Sequence, residues 1–381
     1  MRLLFLHNVP IWDPRAGGGQ RVNHEMARSA VALGHEVRVA HVGDGGREPT
    51  VELPYETVTL PRTRRLVLNA GLAASSLGRL ARSWRPDVVW ASAAEGGFLP
   101  RALPRSVFLV ATQHHPDPPP LPHLSWARHP WRALAHARRL QEHLLMASLL
   151  RGAGLVTVPS AWSRAAVLSR GYARADQAVE VVPNGVAAEW LEAAEPTPDA
   201  GETDLLFVGR LDHQKGLDVL LRALARPELE GVSARVVGTG PDEAAQRALA
   251  VELDVRDRLH FEGSASHDRI RGLARRSRCM VAPSRHESFC LVALEAMAAG
   301  LPVVASAVGG VPEWATDGVS ALLVPPEDPE ALAGALARVL GQDGLAERLR
   351  AGGREVAQRH TWDRVTEAAL TLVAARASVR E

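Results

Sequence analysis

Short apolar runs alternate along the chain with longer segments whose apolar positions recur at helical spacing. Arg2–Asn8 is the first such run, and from Gln20 to Leu33 the period is helical until Gly34 stops it. Glu36–His41, Asp87–Ser92, Val107–Thr112, Leu155–Pro159 and Val179–Pro183 read as further strands, with helices predicted over Leu66–Ser83, Trp131–Leu150 and Ala161–Arg170. Between Ala188 and Asp204 the pattern dissolves into WLEAAEPTPDAGETD, whose Pro, Glu and Thr suit a linker. A second series follows. Its predicted strands are Leu205–Val208, Ala234–Val237, Arg258–Glu262, Cys279–Pro283, Pro302–Ser306 and Ala321–Val324. Its predicted helices are Leu217–Ala225, Glu243–Leu253, Asp268–Arg276 and Val292–Ala299, and helices over Pro329–Leu340, Leu345–Arg359 and Trp362–Ala375 close the chain.

Strands fed by intervening helices build βαβ units and parallel sheets, so the pattern predicts an α/β protein. At 381 residues the chain is long enough for two cores. The expected division is a first Rossmann-like domain over residues 1–190, a linker over 191–203 and a second Rossmann-like domain over 204–361. The closing helix, 362–381, is expected to pack back on the first domain.

Composition narrows the setting. Charges nearly cancel, and no apolar run reaches the ~20 residues needed to span a bilayer. The start, MRLLFLHNVPI, lacks a small-residue cleavage site and reads as a first strand rather than a signal peptide. Two cysteines, Cys279 and Cys290, form no disulfide framework, which suits a reducing cytoplasm. The basic residues are arginines except for one lysine, Lys215, which survives either for its compact ammonium or by chance on a solvated face. From Met1 through Trp190 there are about 22 Arg against about 14 acids, roughly +8, which leaves roughly −7 for the rest. The basic half suits an anionic acceptor, peripheral contact with the acidic inner face of a membrane, or plain solvation. No nucleic-acid partner is expected.

The chemistry gathers at strand ends. Val281–Gly300, VAPSRHESFCLVALEAMAAG, reads as a strand, a polar turn and a helix beginning near Ser288, with Glu287 and Glu295 spaced E-x7-E. Ligands of open α/β sheets bind beyond the carboxyl ends of strands, where helix N-termini offer free N–H groups to anions. Two carboxylates there can hold hydroxyls while backbone N–H groups hold phosphate, which suits a nucleotide sugar. Val208-Gly209-Arg210-Leu211-Asp212-His213-Gln214-Lys215-Gly216 brings an arginine and the lysine to another strand end, where paired cations can stabilise a diphosphate leaving group without a metal. Gly17-Gly18-Gly19 follows the first strand, but its glycines are contiguous, and the second strand ends in Ala40 and His41 rather than an acid. That disfavours a nicotinamide cofactor. Thr112-Gln113-His114-His115-Pro116-Asp117 places two histidines at a strand end, and alternation along an extended chain leaves open which faces the ligand. No Cys/His cluster has zinc spacing, and no D-x-D pair ends a strand to hold Mg²⁺. The stretch from Trp131 to Arg151 reads as an amphipathic helix on the protein surface or on a membrane face.

Taken together these segments resemble the retaining GT-B glycosyltransferases of family 4, the "glycosyl transferases group 1". The resemblance rests on Gly17-Gly18-Gly19, Val182-Pro183-Asn184-Gly185-Val186, Val208-Gly209-Arg210-Leu211 with Lys215-Gly216, and Val237-Gly238-Thr239-Gly240-Pro241. It rests further on Pro283-Ser284 through Glu295-Ala296-Met297-Ala298, then Gly300-Leu301-Pro302-Val303 and Gly309-Gly310-Val311-Pro312-Glu313. It implies two facing doubly wound domains with a deep cleft between them, the donor mainly on the second and the acceptor mainly on the first. By resemblance Arg210 and Lys215 are the diphosphate ligands, Glu287 contacts donor-sugar hydroxyls and Glu295 holds the ribose. The backbone around Ser288, Phe289, Cys290 and Leu291 helps to bind phosphate, with Gly18 approaching it from the glycine loop, and His114 matches the cleft histidine, with His115 the fallback. The implied reaction moves a hexose-type sugar from an NDP-sugar, UDP- or GDP-linked, to an acceptor hydroxyl with retention. The donor is a co-substrate, and neither a cofactor nor a metal is expected. The acceptor is left open among small metabolites, lipid-linked compounds and polysaccharides. Alternatives are a pseudoglycosyltransferase joining a cyclitol to an amine and a non-catalytic nucleotide-sugar-binding partner. One departure stands out: the family reads E-x-F-G where this chain has Glu287-Ser288-Phe289-Cys290, and Cys290 is strained if that position needs positive φ.

Overall fold

The computed structural model describes residues 1–13, 17–43, 52–63, 65–115, 130–192 and 203–378. The chain forms two compact units, Met1–Pro183 with Trp362–Glu381, and Asn184–Thr361.

In the first unit the order is β1 (Arg2–His7), α1 (Gly18–Ala32), β2 (Glu36–Val42), β3 (Glu56–Leu60), α2 (Leu66–Trp84), β4 (Val88–Ala91), α3 (Leu99–Ala102), β5 (Phe108–Thr112), α4 (Pro130–Gly152), β6 (Leu155–Val158), α5 (Ala161–Ser169) and β7 (Val179–Val181). These strands form one seven-stranded parallel sheet in the order β3-β2-β1-β4-β5-β6-β7. Runs such as Leu3–Leu6 and Val88–Ala91 are buried throughout, as a sheet covered on both faces requires. β3 lies outside the sequence prediction. It is an edge strand, its ETVTL shows no apolar run, and among the described residues it pairs with β2 alone.

The second unit runs α6 (Ala188–Leu191), β8 (Thr203–Val208), α7 (Leu217–Leu224), β9 (Ala234–Val237), α8 (Glu243–Glu252), β10 (Leu259–Gly263), α9 (His267–Arg275), β11 (Ser277–Ala282), α10 (Leu291–Ala298), β12 (Val303–Ser306), α11 (Val311–Trp314), β13 (Leu322–Val324), α12 (Pro329–Gly341) and α13 (Asp343–Arg359). Its six strands are parallel in the order β10-β9-β8-β11-β12-β13. Leu205, Phe207, Leu220, Val236, Val281 and Leu336 centre its core.

The last helix, α14 (Trp362–Ser378), belongs to the first unit: it buries Val365, Ala369, Leu370 and Val373, and Ser29 of α1 donates to Asp363 at 2.6 Å. The crossing into the second unit falls at Pro183/Asn184, so residues 184–190, expected in the first domain, lie in the second. The Val186 N–H donates to the His360 carbonyl at 2.7 Å, and α6 packs on α10 and α13, which ties that segment there. Of the expected linker, residues 193–202 lie outside the described residues. α10 begins at Leu291, within one residue of the helix predicted over Val292–Ala299 and later than a start near Ser288, because the turn carrying Glu287 continues through Cys290.

Candidate functional site: strand ends at the switch point of each sheet

In an open parallel sheet a crevice forms where the strand order reverses, since neighbouring loops leave in opposite directions there. The second sheet reverses between β8 and β11. The loop after β8 carries Arg210 and Lys215, and the loop after β11 carries Glu287. The Lys215 Nζ donates to Glu287 Oε1 at 2.6 Å, and Ser284 Oγ donates to the same oxygen at 2.9 Å. The lysine side chain is 27% exposed and the glutamate 6%. Burial opposes the ammonium charge, but the Glu287 carboxylate more than offsets this and holds Lys215 above the ordinary lysine range. Arg210 donates through Nε to Asp212 Oδ2 at 2.7 Å, and its side chain stays 70% exposed. Asp212 also caps the turn His213–Lys215, accepting from the Gln214 N–H at 3.1 Å and the Lys215 N–H at 3.3 Å.

The two loops meet through backbone. Gly216, at φ +67°, lies against the Pro283 carbonyl, so an added Cβ would collide with that oxygen, and Gly309, at φ +57°, lies likewise against the Glu287 carbonyl. Sequence reasoning passed over Arg285, which the structure sets between these loops. Its side chain donates to both oxygens of Asp218 at 2.8 and 2.7 Å, to Glu327 at 2.9 Å and to the His213 carbonyl at 2.9 Å. Its partners lie tens of residues away in sequence, so no local spacing announces it.

Beyond Glu287 the chain stays buried through Ser288, Phe289 and Cys290. Phe289 stacks on Trp314 at 5.5 Å, and the Trp314 indole N–H donates to the Phe289 carbonyl at 2.8 Å, which fixes the turn before α10. Leu291 opens α10, and Glu295 is buried one turn later with His267 Nδ1 at 3.9 Å from Oε1. Cys290 has φ +74°, so this turn requires the left-handed conformation that glycine adopts freely. Its side chain is nonetheless buried, and burial together with the Glu287 carboxylate pushes the thiol well above the ordinary cysteine range. A neutral thiol is a poor nucleophile, so the environment disfavours the reactive cysteine that its neighbourhood invites one to expect.

The first sheet reverses between β1 and β4. Gly17 is the N-cap of α1, and its N–H donates to Gln20 Oε1 at 2.8 Å. Gly18 faces open space, whereas a Cβ on Gly19 would meet the His114 ring at 3.1 Å. None of the three has positive φ, so close approach rather than backbone strain is what glycine permits at position 19. His114 therefore packs against the start of α1, while His115 is exposed. The strand end is fixed below them: the Trp90 indole donates to Thr112 Oγ1 at 2.7 Å, Thr112 bonds Thr157 at 2.7 Å, and Gln113 holds the His115 carbonyl at 2.8 Å. His7 and His41, at the ends of β1 and β2, are buried, whereas His114 is half-buried as a whole residue. Pro116 and Asp117 lie outside the described residues, as do the side chains of 130–136. Among the described residues no group of three or more His, Cys, Asp or Glu side chains is gathered as metal ligands.

Two outcomes follow from these environments. Burial pushes His114 down to about 3, and burial with the neighbouring His24, His41 and His114 does the same to His7. Both are neutral in the fold but charge near the ordinary 6.5 once unfolded, so below that pH the unfolded chain binds more protons. Their stabilising contribution is full above about pH 6.5 and is lost as pH falls toward about 3. Urea midpoints should drop between about pH 7.5 and about pH 5, and His7→Gln should flatten that slope; an unaltered slope in the variant refutes the assignment. At position 290, glycine relieves a left-handed strain of about 1–2 kcal/mol while alanine keeps it. Thermal melts should therefore rank Cys290→Gly above Cys290→Ala, and the usual order, alanine above glycine, would show that the strain is absent.

Known proteins match this chain along nearly its whole length. The family "Glycosyltransferase Family 4" matches residues 16–190 and "Glycosyl transferases group 1" matches residues 189–356. A D-inositol 3-phosphate glycosyltransferase of Streptomyces bingchenggensis is 30% identical over 425 residues, covering 96% of this chain and 87% of that one. The enzyme of the same name from Saccharomonospora viridis is 39% identical over 224 residues, covering 54% of this chain, and the match spans 52% of that relative's length. The crystal structure of Anabaena Alr3699/HepE in complex with UDP-glucose superposes with a TM-score of 0.76 at 21% identity, covering 98% of this chain and 100% of that one, a likeness of fold. With its two doubly wound parallel sheets and these matches, the chain belongs to the group 1 glycosyltransferases of the GT-B fold, family 4.

Proposed function

We propose that this chain moves a hexose-type sugar from a nucleoside diphosphate donor, UDP- or GDP-linked, to an acceptor hydroxyl with anomeric retention and without a metal. The observation that carries the reading is the meeting of Lys215 with Glu287 at 2.6 Å, at the strand ends where the second sheet reverses. An ammonium with three donors can serve a carboxylate and a phosphate oxygen together. In this reading Lys215 and Arg210 seat the diphosphate, Glu287 holds sugar hydroxyls, Glu295 holds the ribose, and the backbone from Ser288 to Leu291 supports the phosphate. As the bond from the anomeric carbon to the phosphate oxygen breaks, its electron pair goes to the diphosphate, whose charge the two cations stabilise. The acceptor oxygen bonds the anomeric carbon on the same face and gives its proton to the departing phosphate oxygen. His114, neutral at physiological pH, is assigned to orienting the sugar by hydrogen bonding rather than to acting as the base. Anabaena HepE, held with UDP-glucose, supports a uridine donor.

On the acceptor side the reading is coarser. The arginine-rich first half and relatives named for a phosphorylated polyol support an anionic hydroxyl compound as acceptor. Among the described residues no helix is long and apolar enough to cross a membrane. Exposed Leu68 and Leu72 on α2, and Leu140 and Leu144 on α4 next to Arg138 and Arg139, support peripheral contact with an anionic bilayer.

Two measurements test the proposal. Melting with UDP-, GDP-, ADP- and TDP-sugars should single out the donor, since saturating ligand stabilises only the native chain, and no shift with any of them contradicts the donor class. Lys215→Ala should cut kcat/KM on the order of a hundredfold, as loss of a group that stabilises developing charge does. Near-normal turnover would remove Lys215 from the mechanism, and tight donor binding with no turnover on any acceptor would favour the non-catalytic alternative.

A further inference from the structure

We infer that Arg285 is a positioning residue for the donor diphosphate: it clamps the loop bearing Lys215 to the loop bearing Glu287 and so fixes where the Lys215 ammonium sits. The inference rests on the assignment of Lys215 to the diphosphate.

Arg285 lies two positions before Glu287, on the loop after β11, and its side chain is 14% exposed. The guanidinium forks onto Asp218, in the first turn of α7, with Nη1 to Oδ1 at 2.8 Å and Nη2 to Oδ2 at 2.7 Å. Nη1 also donates to the His213 carbonyl at 2.9 Å, and Nε donates to Glu327 at 2.9 Å. The Arg285 backbone N–H donates to the Gln214 carbonyl at 2.8 Å. The two carbonyls immediately before Lys215 are thus both held by Arg285, one by its side chain and one by its backbone, while Asp218 anchors the helix that starts just after Gly216. Gly216 closes the other side, where its Cα lies against the Pro283 carbonyl.

Lysine carries a flexible stem and a point charge, so the place of its ammonium depends on how firmly its backbone is held. Glu287 alone cannot supply that hold, because its contact fixes the ammonium and not the backbone from which the flexible stem springs. The clamp uses neither charge. Arg285 spends its own donors on Asp218, Glu327 and a carbonyl, so its hold on the loop does not draw on the Lys215–Glu287 contact. A lysine at 285 would keep the charge but lose the fork, since one ammonium cannot span both Asp218 oxygens in that geometry.

A thermodynamic cycle read by UDP and GDP titration calorimetry separates positioning from mere stability. Arg285→Met should weaken binding of the preferred nucleotide on the order of tenfold in the parent, and less than about twofold in a Lys215→Ala background, because both substitutions remove one interaction. In turnover the donor KM should rise more than kcat falls, and Arg285→Lys should not restore it. A full penalty that persists in the Lys215→Ala background overturns the inference, as does unweakened binding by folded Arg285→Met. Should Arg285→Met fail to fold, Asp218→Asn removes the charge that the fork grips and must show the same non-additivity for the inference to stand. Equal nucleotide affinity in the parent and Lys215→Ala would instead refute the diphosphate assignment itself, an outcome distinct from failure of the clamp.

Discussion

In the second unit the arrangement depends on backbone touching backbone. Parallel sheets deliver every strand-to-helix loop to one edge, and near the switch point those loops can converge only if nothing stands between their chains. Gly216 lies on the Pro283 carbonyl, Gly238 on the Gly209 carbonyl, Gly240 on the Leu211 carbonyl and Gly309 on the Glu287 carbonyl, and at each an added Cβ would collide with the oxygen. The glycines that make the motifs recognisable are thus the condition for bringing Lys215 and Glu287 together. Separating the loops by one methyl group would break a contact of 2.6 Å.

What the resulting ion pairs contribute differs with exposure. Arg210 and Asp212 pair on a guanidinium that is 70% exposed, and such pairs contribute about 0–1 kcal/mol, too little to commit the arginine to its partner. Lys215 and Glu287 are much drier, and there desolvation of both charges offsets most of the Coulomb gain, so the pair is weak evidence for stability. Removing one partner is another matter, because it leaves the other charge buried. The contact is better understood as keeping two charges, each costly to bury alone, ready beside each other. Ser284 adds a donor to the shared oxygen and limits the cost on the carboxylate.

Most strands and helices were legible because each is apolar on both faces of a sheet or periodic along a helix. The exceptions were elements too short or too polar to show a period: the edge strand Glu56–Leu60 and the single-turn helices Leu99–Ala102, Ala188–Leu191 and Val311–Trp314. Candidate residues stood out where a residue type is scarce, as with Lys215 in a chain of arginines, or where two acids share a motif spacing, as with Glu287 and Glu295. Arg285 was illegible for the opposite reason. It is one arginine among many, and only the fold brings Asp218 to its guanidinium. Cys290 lies between these cases: its position in the motif raised the question of positive φ, and the backbone answers it at +74°.

The first unit shows where a charge count stops being informative. Its arginine excess lies in the sequence, but among the described residues His7, His41 and His114 stand at its strand ends, with Gly17 to Gly19 beside them. Burial holds His7 and His114 neutral far below neutral pH, so these side chains add nothing to the positive excess. On His7 and His114 the Nε2 is buried with no hydrogen-bond partner, so each neutral imidazole keeps a polar atom unspent and adds no charge to this edge of the sheet. The two sheet edges therefore differ in their physics. In the second, opposite charges are held close and half dry. In the first, uncharged imidazoles stand beside the glycine start of helix α1.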